Sequence, residues 1–272
     1  MSIEPSIVED AVENGEGAPM PMLAVGGLTL KSLEGHIAKT NAHLPANSKL
    51  EVSLHNGPRN FVVTGPPRAL YGLATGLRKV KAPAGLDQSK IPFSKRKAVF
   101  STRFLVVGVP YHSHYLAGAT QKLVEQDLAG RELFTPAGLA IPVFNTEDGS
   151  DLRSLGSSLT ASLCDQIFTS PIHWTKATAF PDSATHAIDF GPGGASGIGP
   201  LTGRNLEGKG VKVIVPGDKG RVGAEIYSSI AGKKEVKWVE KYGPKLVKTK
   251  CVVPPFALAF CLACSRLWRL TF

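Results

Sequence analysis
The chain has 272 residues, 43% of them hydrophobic and 19% charged, a globular composition with enough apolar material for one large core or two small ones. Lys and Arg outnumber Asp and Glu 31 to 22, for a net charge of +9. Four mostly C-terminal cysteines argue against a disulfide framework, and the acidic, polar opening "MSIEPSIVEDAVENGEGAP" is unlike a secretory leader, so a cytoplasmic location is expected.

Charge is unevenly spread. Residues 1–17 carry five acids and no base, 78–103 carry eight bases against Asp87 alone, and 201–250 carry twelve bases and five acids. Basic stretches of this kind suit phosphates, acidic protein partners or nucleic acid, or are simply a solvated face. No nucleic-acid-binding motif or aromatic platform accompanies them, so nucleic acid is not expected as a partner.

In chain order, "PMLAVGG" is a short apolar strand, and Thr29 is placed to cap a helix carrying Leu30, Leu33 and Ile37. "LEVSLHNGPRNFVVTG" reads as two strands around an Asn56-Gly57 turn. Pro67 opens a second helix with Leu70, Leu73 and Leu77 on one face, and a further strand is expected near 98–107. The resulting β-α-β-β-α order describes a small ferredoxin-like sandwich.

From residue 98 the pattern changes. "AVFSTRFLVVGVP", "LAIPVFNT", "HAIDF" and "VKVIVPG" read as buried strands. Between them, Leu116, Ala119, Leu123, Val124 and Leu128 mark a helix ending at Gly130, and Leu155, Leu159, Leu163 and Ile167 mark another, with Cys164 inside it. Apolar strands separated by amphipathic helices predict a mostly parallel sheet covered on both faces. The tail 251–272 is apolar but interrupted by Pro254-Pro255 and too short to span a membrane well, so no membrane is expected.

His112 ends a strand pattern where a helix begins. A helix N-terminus disfavours imidazolium and would keep the ring a proton acceptor near neutral pH; the alternative is that His112 or Ser113 merely caps the helix. The glycines of "DFGPGGASGIG" do not form a clean dinucleotide fingerprint and fit either close backbone approach to a site or a tight turn. "CLAC" at 261–264 lacks a second ligand pair, so no metal is expected. Arg59 and Asn60, at the hairpin, are candidates for ligand contact or plain turn residues. A histidine base in an α/β sheet calls for a serine in Gly-x-Ser-x-Gly. None occurs in the 272 residues; Ser196 comes nearest, but Ile198 stands where the last glycine belongs.

Together "PMLAVGGLTLKSLEGHIAKTNAHLP", "SLHNGPRNFVVTGPPRALYGL", "APAGLDQSKIPFSKRK", "VPYHSHYLAGA", "IPVFNTEDGSDLR" and "HAIDFGPGGASGIGPLT" resemble the starter-unit acyltransferase domain of the fungal fatty acid synthase beta subunit and of related polyketide-starter synthases. The resemblance runs over residues 4–249.

It implies a partial hydrolase-like acyltransferase core (α/β, mostly parallel sheet) with an inserted ferredoxin-like α+β subdomain. The divisions it suggests are an extended lead-in at 1–19, the small subdomain at 20–105, core at 106–230, linker at 231–250 and an apolar tail at 251–272 outside the family pattern.

It also implies that His112 is the general base, steadied by a backbone carbonyl from the strand end at Asp189, Phe190 and Gly191. The nucleophilic serine is expected upstream of Met1, so none is in this chain. Arg59, Lys95, Arg96 and Lys97 become candidate contacts for coenzyme A or a carrier protein.

The activity implied is transfer of an acetyl or short acyl group from coenzyme A to acyl carrier protein through an acyl-serine. The coenzyme A thioester is substrate, and no cofactor is bound permanently. Partners implied are acyl carrier protein, the synthase alpha subunit and the other beta-subunit domains. The rival reading is an inactive truncated product or a docking subunit without activity of its own.

Overall fold
The computed structural model describes residues 3–83, 85–190 and 197–214. The chain divides into two compact units, one of residues 1–187 with 200–213 and one of 188–199 with 214–272.

The first unit opens on helix α1 (Pro5–Glu13), where an extended lead-in was expected. Pro5 presets the helical backbone at a position that needs no N–H donor. Ala11 is fully buried, and Asp10 and Glu16 on either side of it are paired rather than solvated. Asp10 accepts from Arg78 Nη1 (2.6 Å) and from the Tyr71 hydroxyl (2.7 Å). Glu16, 1% exposed, accepts from Arg78 Nε and Nη2 at 3.0 and 2.9 Å, a two-pronged pair.

Strand β1 (Met22–Gly26) and helix α2 (Leu30–Asn41) follow, and the Thr29 hydroxyl accepts from Ser32 N at 3.3 Å to cap the helix as expected. Then come β2 (Glu51–Gly57), β3 (Asn60–Thr64), α3 (Pro67–Arg78) and β4 (Ser101–Phe104). The sheet order is β4-β1-β3-β2, each pair antiparallel, which is the ferredoxin-like arrangement anticipated from the element order. Leu33 and Ile37 of α2 and Leu70, Leu73, Ala74 and Leu77 of α3 bury against Leu23, Val25, Phe61 and Val63 of the sheet. Period 3.6 meeting period 2 is what makes this core.

The hairpin turn lies at Pro58-Arg59, two residues beyond the expected Asn56-Gly57. Irregular register between Val52 and Leu54 and between His55 and Gly57 carries β2 further, so that Gly57 pairs with Asn60. Asn56 and Gly57 serve another contact: Asn205 Nδ2 donates to the Asn56 carbonyl at 2.6 Å, and a Cβ on Gly57 would sit 2.6 Å from Asn205 Oδ1.

Beyond β4 regularity falls away, contrary to the expected run of buried strands. Val106 is 94% exposed, and "LAIPVFNT" forms no strand beyond a single bridge between Phe144 and Asp151. Pro142 inside that run removes a ladder donor. The expected helix near 116–130 is a short α4 (Ala119–Lys122) followed by a π-helical turn at Leu123–Asp127.

Helix α5 (Leu159–Phe168) starts at Leu159 instead of Leu155, because Ser158 Oγ accepts from Ala161 N at 3.0 Å. It buries Leu159, Thr160, Cys164 and Gln166, while Leu163 and Ile167 are half-buried.

After α5, β5 (Ile172–His173) joins the sheet edge parallel to β2, with Leu54 opposite Ile172 and His55 opposite His173. Helix α6 (Trp174–Ala177) follows it directly.

Strands β6 (His186–Ile188) and β7 (Lys212–Ile214) form a two-stranded sheet, with helix α7 (Ile198–Asn205) between them in sequence. Lys212 N donates to Thr185 O and Asp189 N to Ile214 O, numbers rising together as in parallel pairing. The fold is therefore α/β with mixed sheets: antiparallel in the ferredoxin-like part, parallel at β2–β5 and β6–β7. The expected divisions at 231–250 and 251–272, and the "CLAC" pair, lie outside the described residues.

Candidate active site
His112 has φ +58°, the left-handed region that a side chain with a Cβ enters at a cost of about 1–2 kcal/mol. Such a conformation persists where its neighbours overdetermine it. On one side Ser113 N donates to the Phe168 carbonyl at 3.1 Å, and the Tyr111 ring stacks on Phe168 with centroids 6.5 Å apart. On the other, Glu51 Oε1 accepts from His114 N (3.0 Å), Glu51 Oε2 pairs with His114 Nδ1 (2.9 Å), and the Tyr115 hydroxyl donates to Lys49 O (2.6 Å). The loop bearing His112 is thus gripped between the end of α5 and the start of β2.

The result places His112 Nδ1 3.2 Å from the Ser170 carbonyl oxygen. A carbonyl only accepts, so Nδ1 carries the proton and Nε2 keeps a lone pair. Burial holds the imidazole below the ordinary histidine range, opposed by the backbone carbonyls of Ser170 and Gln166. The push toward the neutral form therefore comes from desolvation. A helix N-terminus was the expected cause, but a 3-10 turn at His114–Leu116 follows, with no side-chain cap from Ser113, and α4 begins only at Ala119.

The described partner of Nδ1 is the Ser170 carbonyl, while Asp189, Phe190 and Gly191, expected to supply a carbonyl there, belong to the other compact unit. Asp189 is buried in the second unit, where its Oδ2 accepts from Gly199 N (2.8 Å) near the start of α7. Phe190 is exposed. Gly191 and Ser196 lie outside the described residues. Sequence reasoning missed Ser170 because a main-chain oxygen has no side-chain signature; the nearest signal is Pro171, which biases the residue before it toward extended backbone.

Lys95, Arg96 and Lys97 share one exposed turn beside Phe93, itself 87% exposed. The Arg96 guanidinium is partly spent on the loop, donating to Ile91 O (2.8 Å) and Ser89 O (3.0 Å), while Gln88 exchanges hydrogen bonds with the Lys97 backbone. Arg59 is on the β2–β3 hairpin, reaching Gly27 O at 3.3 Å. Among the described residues no three His, Cys, Asp or Glu side chains converge as a metal site, and no helix is long and apolar enough to cross a membrane.

A family model described as "Starter unit:ACP transacylase in aflatoxin biosynthesis" matches residues 4–98. The fatty acid synthase subunit beta of Saccharomyces cerevisiae is 49% identical over 259 residues, covering 92% of this chain and 12% of that protein. The chain belongs to the starter-unit acyltransferase family of fatty acid synthase beta subunits. Its counterpart in Schizosaccharomyces pombe is 48% identical over 256 residues, with the same shares covered. The chain thus spans about an eighth of the length of these family members. Among solved structures, the malonyl CoA-acyl carrier protein transacylase of Clostridium perfringens superposes with a TM-score of 0.56 over 81% of this chain and 59% of that one. At 19% identity that likeness speaks for the fold alone: the chain shares part of the fold of that transacylase.

Proposed function
We propose that this chain carries the general base of an acyl-coenzyme A to acyl-carrier-protein acyltransferase, acting in fatty acid or polyketide-starter synthesis. The observation that supports it is the Ser170 carbonyl at His112 Nδ1, which leaves Nε2 as the acceptor. The 272 residues contain no Gly-x-Ser-x-Gly, so the serine is proposed to come from polypeptide outside them.

In the first half-reaction the serine Oγ attacks the thioester carbonyl while Nε2 takes its proton. The tetrahedral intermediate collapses, the C–S bond breaks, and the imidazolium protonates the departing coenzyme A thiolate. In the second, Nε2 takes the proton of the carrier thiol, the sulfur attacks the acyl-serine, and the proton returns to the serine oxygen. Acyl groups and protons balance, and no further reactant is needed.

Lys95, Arg96, Lys97 and Arg59 are proposed to meet coenzyme A phosphates or an acidic carrier protein, by charge alone. Assembly with the other beta-subunit domains and an alpha subunit, in the cytoplasm, is proposed from the family. The missing serine motif also favours a second reading, a docking or inactive piece.

Intact-mass measurement separates the two. With acetyl-coenzyme A alone, the chain is expected to form no acyl adduct. Mixed with a polypeptide carrying the family's serine elbow, it is expected to restore transfer, and His112→Ala to abolish it. Failure of any such mixture to restore transfer would favour the docking reading, whereas restored transfer indifferent to His112→Ala would move the base elsewhere, His114 first.

A further inference from the structure
We propose that Glu51, on the first residue of β2, is a positioning residue for His112, so that the ferredoxin-like sheet sets the orientation of the base. This rests on reading His112 as functional, but the geometry is independent of that reading. Glu51 makes two contacts with His114, a hydrogen bond accepted from its backbone N–H (3.0 Å) and an ion-pair contact with ring Nδ1 (2.9 Å). Two residues earlier on the same segment, Lys49 O accepts from the Tyr115 hydroxyl at 2.6 Å. These contacts fix the chain just downstream of the left-handed backbone at His112, as Ser113 N on Phe168 O fixes it from the α5 side.

With only the α5 side gripped, residues 113–115 are free to relax, and His112 can leave φ +58° for an ordinary conformation that turns the ring from Ser170 O. The Glu51–His114 pair is half-exposed, with side chains 37% and 50% accessible, so the effect is modest. Its consequence falls on a strained neighbour and not on global stability. The ion pair alone would be a surface detail; the bond to the main-chain N–H is what transmits.

The test uses the full 272-residue chain and follows diethyl pyrocarbonate modification of the His112 peptide by mass spectrometry, beside ring-nitrogen chemical shifts. In Glu51→Ala the His112 rate is expected to rise about fivefold, with further gain in Glu51→Ala/Tyr115→Phe. Glu51→Gln keeps an oxygen that can accept from His114 N, loses the ring pairing, and is expected to match the parent. Leu73→Ala, which loosens the distant ferredoxin-like core, is expected to lower stability without moving the His112 rate. An unchanged rate in Glu51→Ala, a Glu51→Gln variant behaving like Glu51→Ala, or a Leu73→Ala chain showing the same rise would each overturn the proposal. If the double variant fails to fold, Glu51→Ala and Glu51→Gln decide alone. Loss of the base role in the reconstitution experiment would leave these readouts untouched, so the two failures are distinguishable.

Discussion
The Ser170 carbonyl oxygen faces His112 Nδ1 at 3.2 Å, which selects one tautomer of the ring. Ring-nitrogen NMR above the titration range is expected to show a protonated Nδ1 and an unprotonated Nε2. The opposite pattern would remove the lone pair from the atom assigned to accept the serine proton.

Stability should fall as the solution is acidified from about pH 7 to about pH 5. His36, His55, His112 and His173 are all held below the ordinary histidine range, with burial the first cause in each. His55 and His173, stacked at 4.3 Å, also oppose each other's charging, and Lys176 adds to both.

The unfolded chain therefore binds protons before the native one does, and the stability present above the unfolded pKa is lost as pH drops through the folded values. The lowered carboxylates, such as Asp10 and Asp151, act at lower pH and do not blur the window. Melting midpoints measured across this range check it, and a His55→Gln/His173→Gln chain should show a flatter profile. A midpoint indifferent to pH would contradict the assignment.

Arg78→Ala is expected to cost about 3–5 kcal/mol in urea unfolding, because it strands the Glu16 carboxylate, 1% exposed, without its partner. Adding Glu16→Gln should recover part of the loss by removing the buried charge. Arg78→Lys keeps a charge but not the fork and should fall between. A double variant as unstable as Arg78→Ala would show that the penalty lies in lost packing.

Gly57→Ala tests the contact between the end of β2 and Asn205 of α7. The added Cβ meets Asn205 Oδ1 at 2.6 Å, so the amide must swing away and release the Asn56 carbonyl. The expected cost is about 1 kcal/mol, the size of one hydrogen bond, with faster amide exchange at the end of α7. No change in either would mean that Asn205 relocates freely.

The ferredoxin-like part was legible because its signals are local. Leu70, Leu73 and Leu77 recur at helical spacing, "NFVVT" is a short apolar run rich in strand-forming residues, and Thr29 and Pro67 mark helix starts; all of these depend on neighbours within one or two turns. The region beyond β4 was less legible because its apolar density matches a strand while Pro142 denies it the ladder. Whether Val106 or Ile141 is buried depends on what packs against them, and both are exposed here.

The candidate site divides the same way. His112 stood out in the sequence through its type and its place in "PYHS", since a side chain carries its chemistry in its identity. Its partner did not: a backbone carbonyl is present at every residue, and only the approach of the segment after α5 makes Ser170 the one that meets Nδ1. Glu51 is 61 residues from His112 in the sequence and looks like any strand acid until β2 comes alongside the loop. Local periodicity and residue chemistry thus determined the elements and the candidate base, whereas tertiary packing decided its tautomer, the direction in which its charging is shifted and what holds it, because hydrogen-bond geometry and desolvation exist only between segments brought together by folding.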